Sequence, residues 1–381
     1  MGACFSIGFA VAEPMFRALL VIIVLVWSVI GPFALSYFFI DLSTILSRIG
    51  KHKAALAIAR LGVSVDNSLM PVVQLFGIHE SPLAVINLMN EACALMCLCR
   101  FKEASEKFEI ALDKSQAALG WDHNLTQIVV GQHASCLQYL GKFHESEQFF
   151  RRAIAANVVQ LGPAEEENFE EHFPVVLVLA LDRFGLGSLF EKQLKFDLAE
   201  AQYKQAIETI DKYVLDETDV LADNLNALGD LYVKTGRLED AHTFINRALR
   251  IRKEIFPPMH IVVASSYHSL GSLRLKQGNL YEAKKYLNDA LKIKERYLGK
   301  EHPDVADTYR ASGELETALN NFAQAEDYLS RSLEILNQTY GDHPDVALVM
   351  ESLSALYEKS GKNLDAEHFQ KRAVEIRQTV K

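Results

Sequence analysis

An all-α solenoid of stacked helical hairpins is the fold class that the sequence predicts, on three observations. A phrase returns: "YLGKEHPDVADTY" at Tyr297–Tyr309 and "TYGDHPDVALVM" at Thr339–Met350 place His302 and His343 41 residues apart. Three columns of small residues keep one period. They are Ala92, Ala134, Gly187, Gly229, Gly271, Gly313 and Ser354; Ala104, Ser146, Ala199, Ala241, Ala283, Ala325 and Ala366; and Ala111, Ala153, Ala206, Ala248, Ala290, Ser332 and Ala373. Their steps are 42, 53, 42, 42, 42 and 41 residues, so one insertion of 11 residues interrupts a steady repeat. Larger apolar residues then fill the space between columns at helical spacing. Recurrence at a fixed interval marks repeat architecture, because each unit buries its apolar face only against its neighbours.

Within a unit, "NLNALGDLYVKTGRLEDAHTFINRAL" shows the hairpin. Leu225, Leu228, Gly229 and Tyr232 form one stripe, and Leu238, Ala241, Ile245 and Ala248 form the next. Spacings of three and four put each stripe on one helix face. Lys234–Gly236 turns the chain between them. The repeated phrase supplies the boundaries. Gly299 and Gly341 end a helix where positive φ is favoured. Pro303 and Pro344 suit the first turn of the next, where a missing N–H does no harm. Asp304 and Asp345 sit against that helix's positive end. His302 and His343 are read as boundary residues.

These columns resemble the tetratricopeptide repeat, and "ALKIKERYLGKEHPDVADTY" with "LGDLYVKTGRLEDAHTFINRALRIRKEIF" looks like the 42-residue variant of kinesin light chains. The resemblance is strong over Leu215–Lys381 and more degenerate over about 81–210. It does not touch 1–79. It implies a right-handed superhelix with an extended second helix in each hairpin, whose first helices line an inner, concave surface. Counting from the small column, that surface takes Asp223, Asn226, Asp230 and Lys234, then His268 and Lys276, then Arg310 and Glu314. Ser265, Ser272, Asp307, Thr317, Glu351 and Glu358 join them. A protein or peptide segment of acidic or mixed charge is the implied partner. The kinesin light chain type often carries an asparagine pair in this helix. Here Asn226 matches the first, whereas Ala227 replaces the second.

Ahead of the repeats, "ALLVIIVLVWSVIGPFALSYFFI" runs from Ala18 to Ile40 without a charge. As a helix its 23 residues reach roughly 35 Å, enough to cross a bilayer core. The expected organisation is a tail over 1–17, a transmembrane helix over 18–40, a juxtamembrane linker over 41–80, and degenerate repeats over 81–160. An acidic insertion over 161–174 and further repeats over 175–381 follow. Arg48, Lys51 and Lys53 after the span, against Arg17 before it, favour a single-pass membrane protein with a cytoplasmic repeat domain. Gly2, Ser6 and Cys4 in "MGACFS" also match a loose acylation pattern.

Composition narrows the functional classes. Across 381 residues the formal net charge is −10 and the pI about 5.7, which argues against a general nucleic-acid binder. Cys93, Cys97 and Cys99 do not have zinc-ribbon spacing, so no metal is expected. Glu165, Glu166, Glu167, Glu170 and Glu171 in "LGPAEEENFEEHFP" lack the fixed geometry of a calcium loop and read as a solvated connection. "VVLVLAL" after it is too short, taken alone, to cross a membrane. No phosphate loop, nucleophile elbow or H-E-x-x-H stands in the chain. The expectations are therefore no enzyme, no cofactor, and a membrane-tethered repeat scaffold that binds protein. The alternatives are an extracytoplasmic assembly or secretion factor and a soluble transport adaptor.

Overall fold

The computed structural model describes residues 40, 42–43, 52–74, 82–162, 169–213 and 217–379. All of its regular structure is helical, and the helices pair as hairpins, so the chain is an all-α solenoid. The expected transmembrane segment lies outside the described residues except for Ile40, as does the acylation pattern. The helices are α1 (His52–Gln74), α2 (Pro82–Cys97), α3 (Phe101–Leu119), α4 (Asn124–Tyr139), α5 (Phe143–Leu161), α6 (Phe169–Lys192), α7 (Phe196–Tyr213) and α8 (Asp219–Thr235). They continue as α9 (Leu238–Ile255), α10 (Ile261–Lys276), α11 (Leu280–Leu298), α12 (Pro303–Ala318), α13 (Phe322–Tyr340), α14 (Pro344–Lys359) and α15 (Asn363–Thr379).

The chain divides into two compact units at Val129/Val130, inside α4. In the first unit, α1 packs on α2 and α2 on α3. Buried Glu91 of α2 takes Arg60 of α1 at 2.9 Å and Lys107 of α3 at 3.2 Å. Asn87 donates to Asp66 at 2.7 Å.

In the second unit the pairs α6–α7, α8–α9, α10–α11, α12–α13 and α14–α15 form hairpins, and each second helix packs on the next first helix. Small residues set the spacing. A Cβ added to Gly229, Gly271 or Gly313 would stand 2.5–2.6 Å from Ile245, Leu287 or Leu329. Ala199, Ala241, Ala283 and Ala325 are fully buried. The second helices α9, α11 and α13 have 18, 19 and 19 residues against 17, 16 and 16 in α8, α10 and α12, matching the implied extension.

The turns and caps obey the same period. Cys99, Gly141, Leu194, Gly236, Gly278, Asn320 and Gly361 all hold positive φ between paired helices. Glycine adopts that conformation freely, whereas Cys99 and Leu194 hold it against their Cβ atoms. At the helix starts, His260, His302 and His343 each accept a backbone N–H two residues on through Nδ1. Thr218 caps α8 from the equivalent position. The repeated histidines thus start helices.

The α6–α7 hairpin departs from the pattern. Helix α6 begins at Phe169, within the expected acidic insertion, and carries Pro174 inside it. Residues Phe173–Lys192 are long and apolar enough to cross a membrane by length and composition, although "VVLVLAL" alone is not. Val176, Leu179, Ala180, Leu186, Leu189 and Phe190 of this helix are buried in the second unit's core. Gly185 and Gly187 press against the rings of Phe150 and Tyr203.

Candidate functional site

Packing faces of α8, α10 and α12 are committed to Leu225, Leu228, Leu231, Leu270, Leu273 and Leu315, which are almost fully buried. The polar positions between them therefore share another face, and the structure joins them across hairpins. Asp230 of α8 accepts from Ser269 of α10 at 2.9 Å. His268 Nε2 of α10 lies 3.1 Å from Asp307 of α12. Arg310 donates to Asp307 at 2.8 Å and to Glu314 at 2.6 Å. Ser352 of α14 donates to Glu314 at 2.7 Å. Lys234 reaches back to Glu191 of α6 at 2.6 Å. Five first helices thus share one polar ladder.

The eight residues expected to meet a partner play unequal parts. Asn226 is buried; its amide donates to Ser269 at 2.7 Å and to Asp230 at 2.9 Å. Asp223 pairs with Arg252 of α9. Asp230, His268, Arg310 and Glu314 form the ladder itself and are only partly exposed. Lys234 keeps about half of its side chain open to solvent despite its bond to Glu191. Lys276 is exposed. The open cations are therefore Lys234 and Lys276, whereas Asn226 and Asp223 hold neighbouring helices together.

Sequence counting missed Arg252. This buried guanidinium donates to Asn226 at 3.2 Å and Ser266 at 2.7 Å, besides Asp223, and its Nε lies 3.7 Å from Asp219. A signal was present: Arg252 and Lys294 stand 42 residues apart on stripes that are otherwise apolar. Lys294 is also buried, and donates to the Asp304 carbonyl at 3.3 Å. Glu191 was missed because it stands one repeat before Val233, where no carboxylate marks the column.

Electrostatics follow this geometry. Burial pushes Asp219 up to about 6; Asp223 adds to the rise and Arg252 opposes it. Burial also raises Asp223 and Asp230, against Arg252 and Ser269 respectively. At Asp307 burial again favours the neutral acid, but Arg310 and His268 outweigh it and hold the carboxyl well below the usual range. Burial works against the Lys234 ammonium, yet the carboxylates of Glu191, Asp230 and Asp307 raise it. Among the described residues no group of three His, Cys, Asp or Glu side chains is placed to hold a metal.

A helical-repeat scaffold with a polar face shared among successive first helices is suited to binding protein or peptide segments. The tetratricopeptide repeat family matches residues 177–254, 262–338 and 312–379, just over half of the chain, and the protein belongs to that family. A search of curated proteins finds no match. Among solved structures, the Rap conjugation gene regulator of a plasmid, in complex with the Phr* peptide, is similar at TM-score 0.60 and 13% identity, over 92% of this chain and 96% of that one. A Rap protein complexed with Competence and Sporulation Factor is similar at 0.56 and 14%, over 91% and 98%. Aspartyl phosphate phosphatase F from Bacillus subtilis is similar at 0.55 and 11%, over 90% and 94%. These likenesses show the fold. The last corrects one expectation: a protein of this architecture is named for an enzymatic activity, so the repeat fold and the missing motifs do not exclude catalysis.

Proposed function

We propose that this protein is a membrane-tethered tetratricopeptide scaffold, anchored through residues 18–40, whose repeat domain lies in the cytoplasm and binds a protein or peptide segment of acidic or mixed charge. The observation that carries the binding reading is the ladder from Glu191 through Lys234, Asp230, Ser269, His268, Asp307, Arg310 and Glu314 to Ser352. Its groups mix carboxylates, cations and hydroxyls and belong to successive helices, so an extended segment laid across them meets donors and acceptors in turn. Lys234 is the ladder's accessible cation, and Lys276 of α10 is exposed. Two of the similar structures are complexes, one with the Phr* peptide and one with Competence and Sporulation Factor, which suits a peptide-sized partner here. The tether rests on the uncharged stretch Ala18–Ile40 and its basic C-terminal flank.

The test is capture from membranes with the full chain, followed by titration of the recovered partner against Lys234→Ala/Lys276→Ala. Binding should weaken roughly tenfold and lose its salt dependence. Equal affinity of wild type and variant would overturn the groove assignment. Extraction of the full chain by alkaline carbonate would overturn the tether.

A further inference from the structure

Residues far apart in the second unit meet at one place. Lys192, in the last turn of α6, places Nζ 2.9 and 2.8 Å from the two carboxylate oxygens of Asp345, 153 positions later in α14. His343, only 1% exposed, lies beside them. Its Nδ1 accepts the Asp345 N–H at 3.2 Å, and its Nε2 lies 3.2 Å from the Gln138 carbonyl, 205 positions earlier. With Nδ1 accepting, Nε2 carries the proton and donates to that carbonyl. Around this polar core stand three ring contacts: Tyr139 stacks on Tyr340 at 5.9 Å, Phe143 lies 5.7 Å from His343, and Tyr340 lies 4.9 Å from His343. Burial opposes the charged form of Asp345. The Lys192 ammonium outweighs it and holds the carboxyl below its usual range.

None of this is ordinary repeat packing. Neighbouring hairpins meet through apolar stripes and small residues, about 42 positions apart. The contact described here joins the α4–α5 turn and the end of α6 to the α13–α14 junction, skipping the hairpins between. It is small, aromatic and ionic, and it ties together the two ends of the stretch that carries the ladder. Glu191, the first ladder residue, is the immediate neighbour of Lys192.

We propose that this seam is a latch that closes the ladder-bearing stretch of α6–α14 on itself and holds Glu191, beside Lys192, in register with Lys234, so that parting the seam loosens the polar face a partner meets. The inference rests on the binding reading above and adds its control. Seam opening breaks one ion pair, one histidine hydrogen bond and the two ring contacts that cross it, Tyr139–Tyr340 and Phe143–His343, while the hairpins α8–α9, α10–α11 and α12–α13 stay intact. The opening is therefore a local event with a smaller free energy than unfolding.

The test uses the full chain without any partner, so that failure of the latch and failure of the groove are separate results. Backbone hydrogen exchange is followed by mass spectrometry in the wild type, in Lys192→Met and in Lys192→Asp. The methionine keeps the length of the side chain, and the aspartate sets two carboxylates face to face. Exchange over 138–143 and 340–345 should quicken roughly tenfold in Lys192→Asp and less in Lys192→Met, with Ile261–Ala318 unchanged. Raising salt toward 1 M should quicken the same two segments in the wild type, because the screening length falls to about 3 Å. Unchanged exchange at both segments in both variants would overturn the latch. So would faster exchange spread evenly through Ile261–Ala318, because the contact would then be part of the common core.

Discussion

The hairpins from α8 to α13 and the hairpin α6–α7 occupy one array and solve one packing problem differently. In the regular hairpins a single glycine in each first helix (Gly229, Gly271 or Gly313) admits an aliphatic side chain, and the following turn is Gly236, Gly278 or Asn320. In α6–α7, Gly185 and Gly187 admit two aromatic rings, and the turn falls on Leu194 at φ 59°. A buried acid, Asp182, occupies the same helix and accepts from Asn157 of α5 at 2.9 Å. The backbone period survives the insertion because close approach and turn geometry recur. Side-chain chemistry at those positions is free to vary. This irregular hairpin also supplies Lys192 and Glu191, so the departure from the repeat falls where the array makes its non-repeating contacts.

The regular side is easiest to break at its glycines. Leucine at Gly271 would force its Cβ to 2.6 Å from Leu287, with a backbone nitrogen at 3.3 Å. Gly271→Leu should cost about 3 kcal/mol in a denaturant melt, at the upper end of overpacking penalties. A cost under about 0.5 kcal/mol, the level of an ordinary surface change, would remove the close approach from the explanation.

Outside both sets of hairpins, His133 of α4 is only 3% exposed, and burial, helped by Lys142, lowers its pKa to about 4. The unfolded side chain titrates near 6.5. The neutral ring is favoured by folding, so stability is fully present above about 6.5 and declines as pH falls toward 4. Linkage sets that loss at up to about 3 kcal/mol. His133→Phe should abolish this segment of the pH–stability curve, and a curve unchanged by it would assign the loss to other groups.

Asp182 comes next. Burial raises its pKa well above the usual range, against the Asn157 hydrogen bond. Its contribution therefore falls as pH rises above the unfolded value near 4. Asp182→Asn should flatten that alkaline slope. Asp182→Ala should cost about 2 kcal/mol by leaving the Asn157 amide unpaired. Equal melts for the two variants would count against the buried hydrogen bond.

The smallest effect tests the turn. Leu194→Gly should stabilise by about 1 kcal/mol, relieving a left-handed conformation that its Cβ opposes. Gly236→Leu, the same exchange reversed in a regular hairpin, should destabilise by a similar amount, and thermal melts of both compare them directly.

Much of the array was legible in the sequence, since small columns and helix-spaced stripes report contacts between nearest neighbours. The histidine caps were legible as boundaries because proline and aspartate follow them. Leu194 and Cys99 were hidden, since neither residue announces positive φ. Asn226 was expected to meet a partner, but a single sequence does not separate a group offered to a partner from one consumed by Ser269, Asp230 and Arg252. The ring and ion-pair contacts of residues 138–143 and 192 with 340–345 left no local trace. They depend on the accumulated rotation of several hairpins, which no single window of sequence contains.

That last contact has a consequence for how such a chain can change over generations. An open array tolerates gain or loss of a unit, because each unit touches only its neighbours and the ends simply move apart. Here Asp345 meets Lys192 only with the present number of units between them. Duplicating or deleting one hairpin would carry the carboxylate away from the ammonium and leave Tyr139 without Tyr340. The joint therefore counts: it ties viable copy number to a fixed value, and the 11-residue insertion, which lies inside the stretch closed by Tyr139 and Tyr340, lengthens a connection without adding a unit.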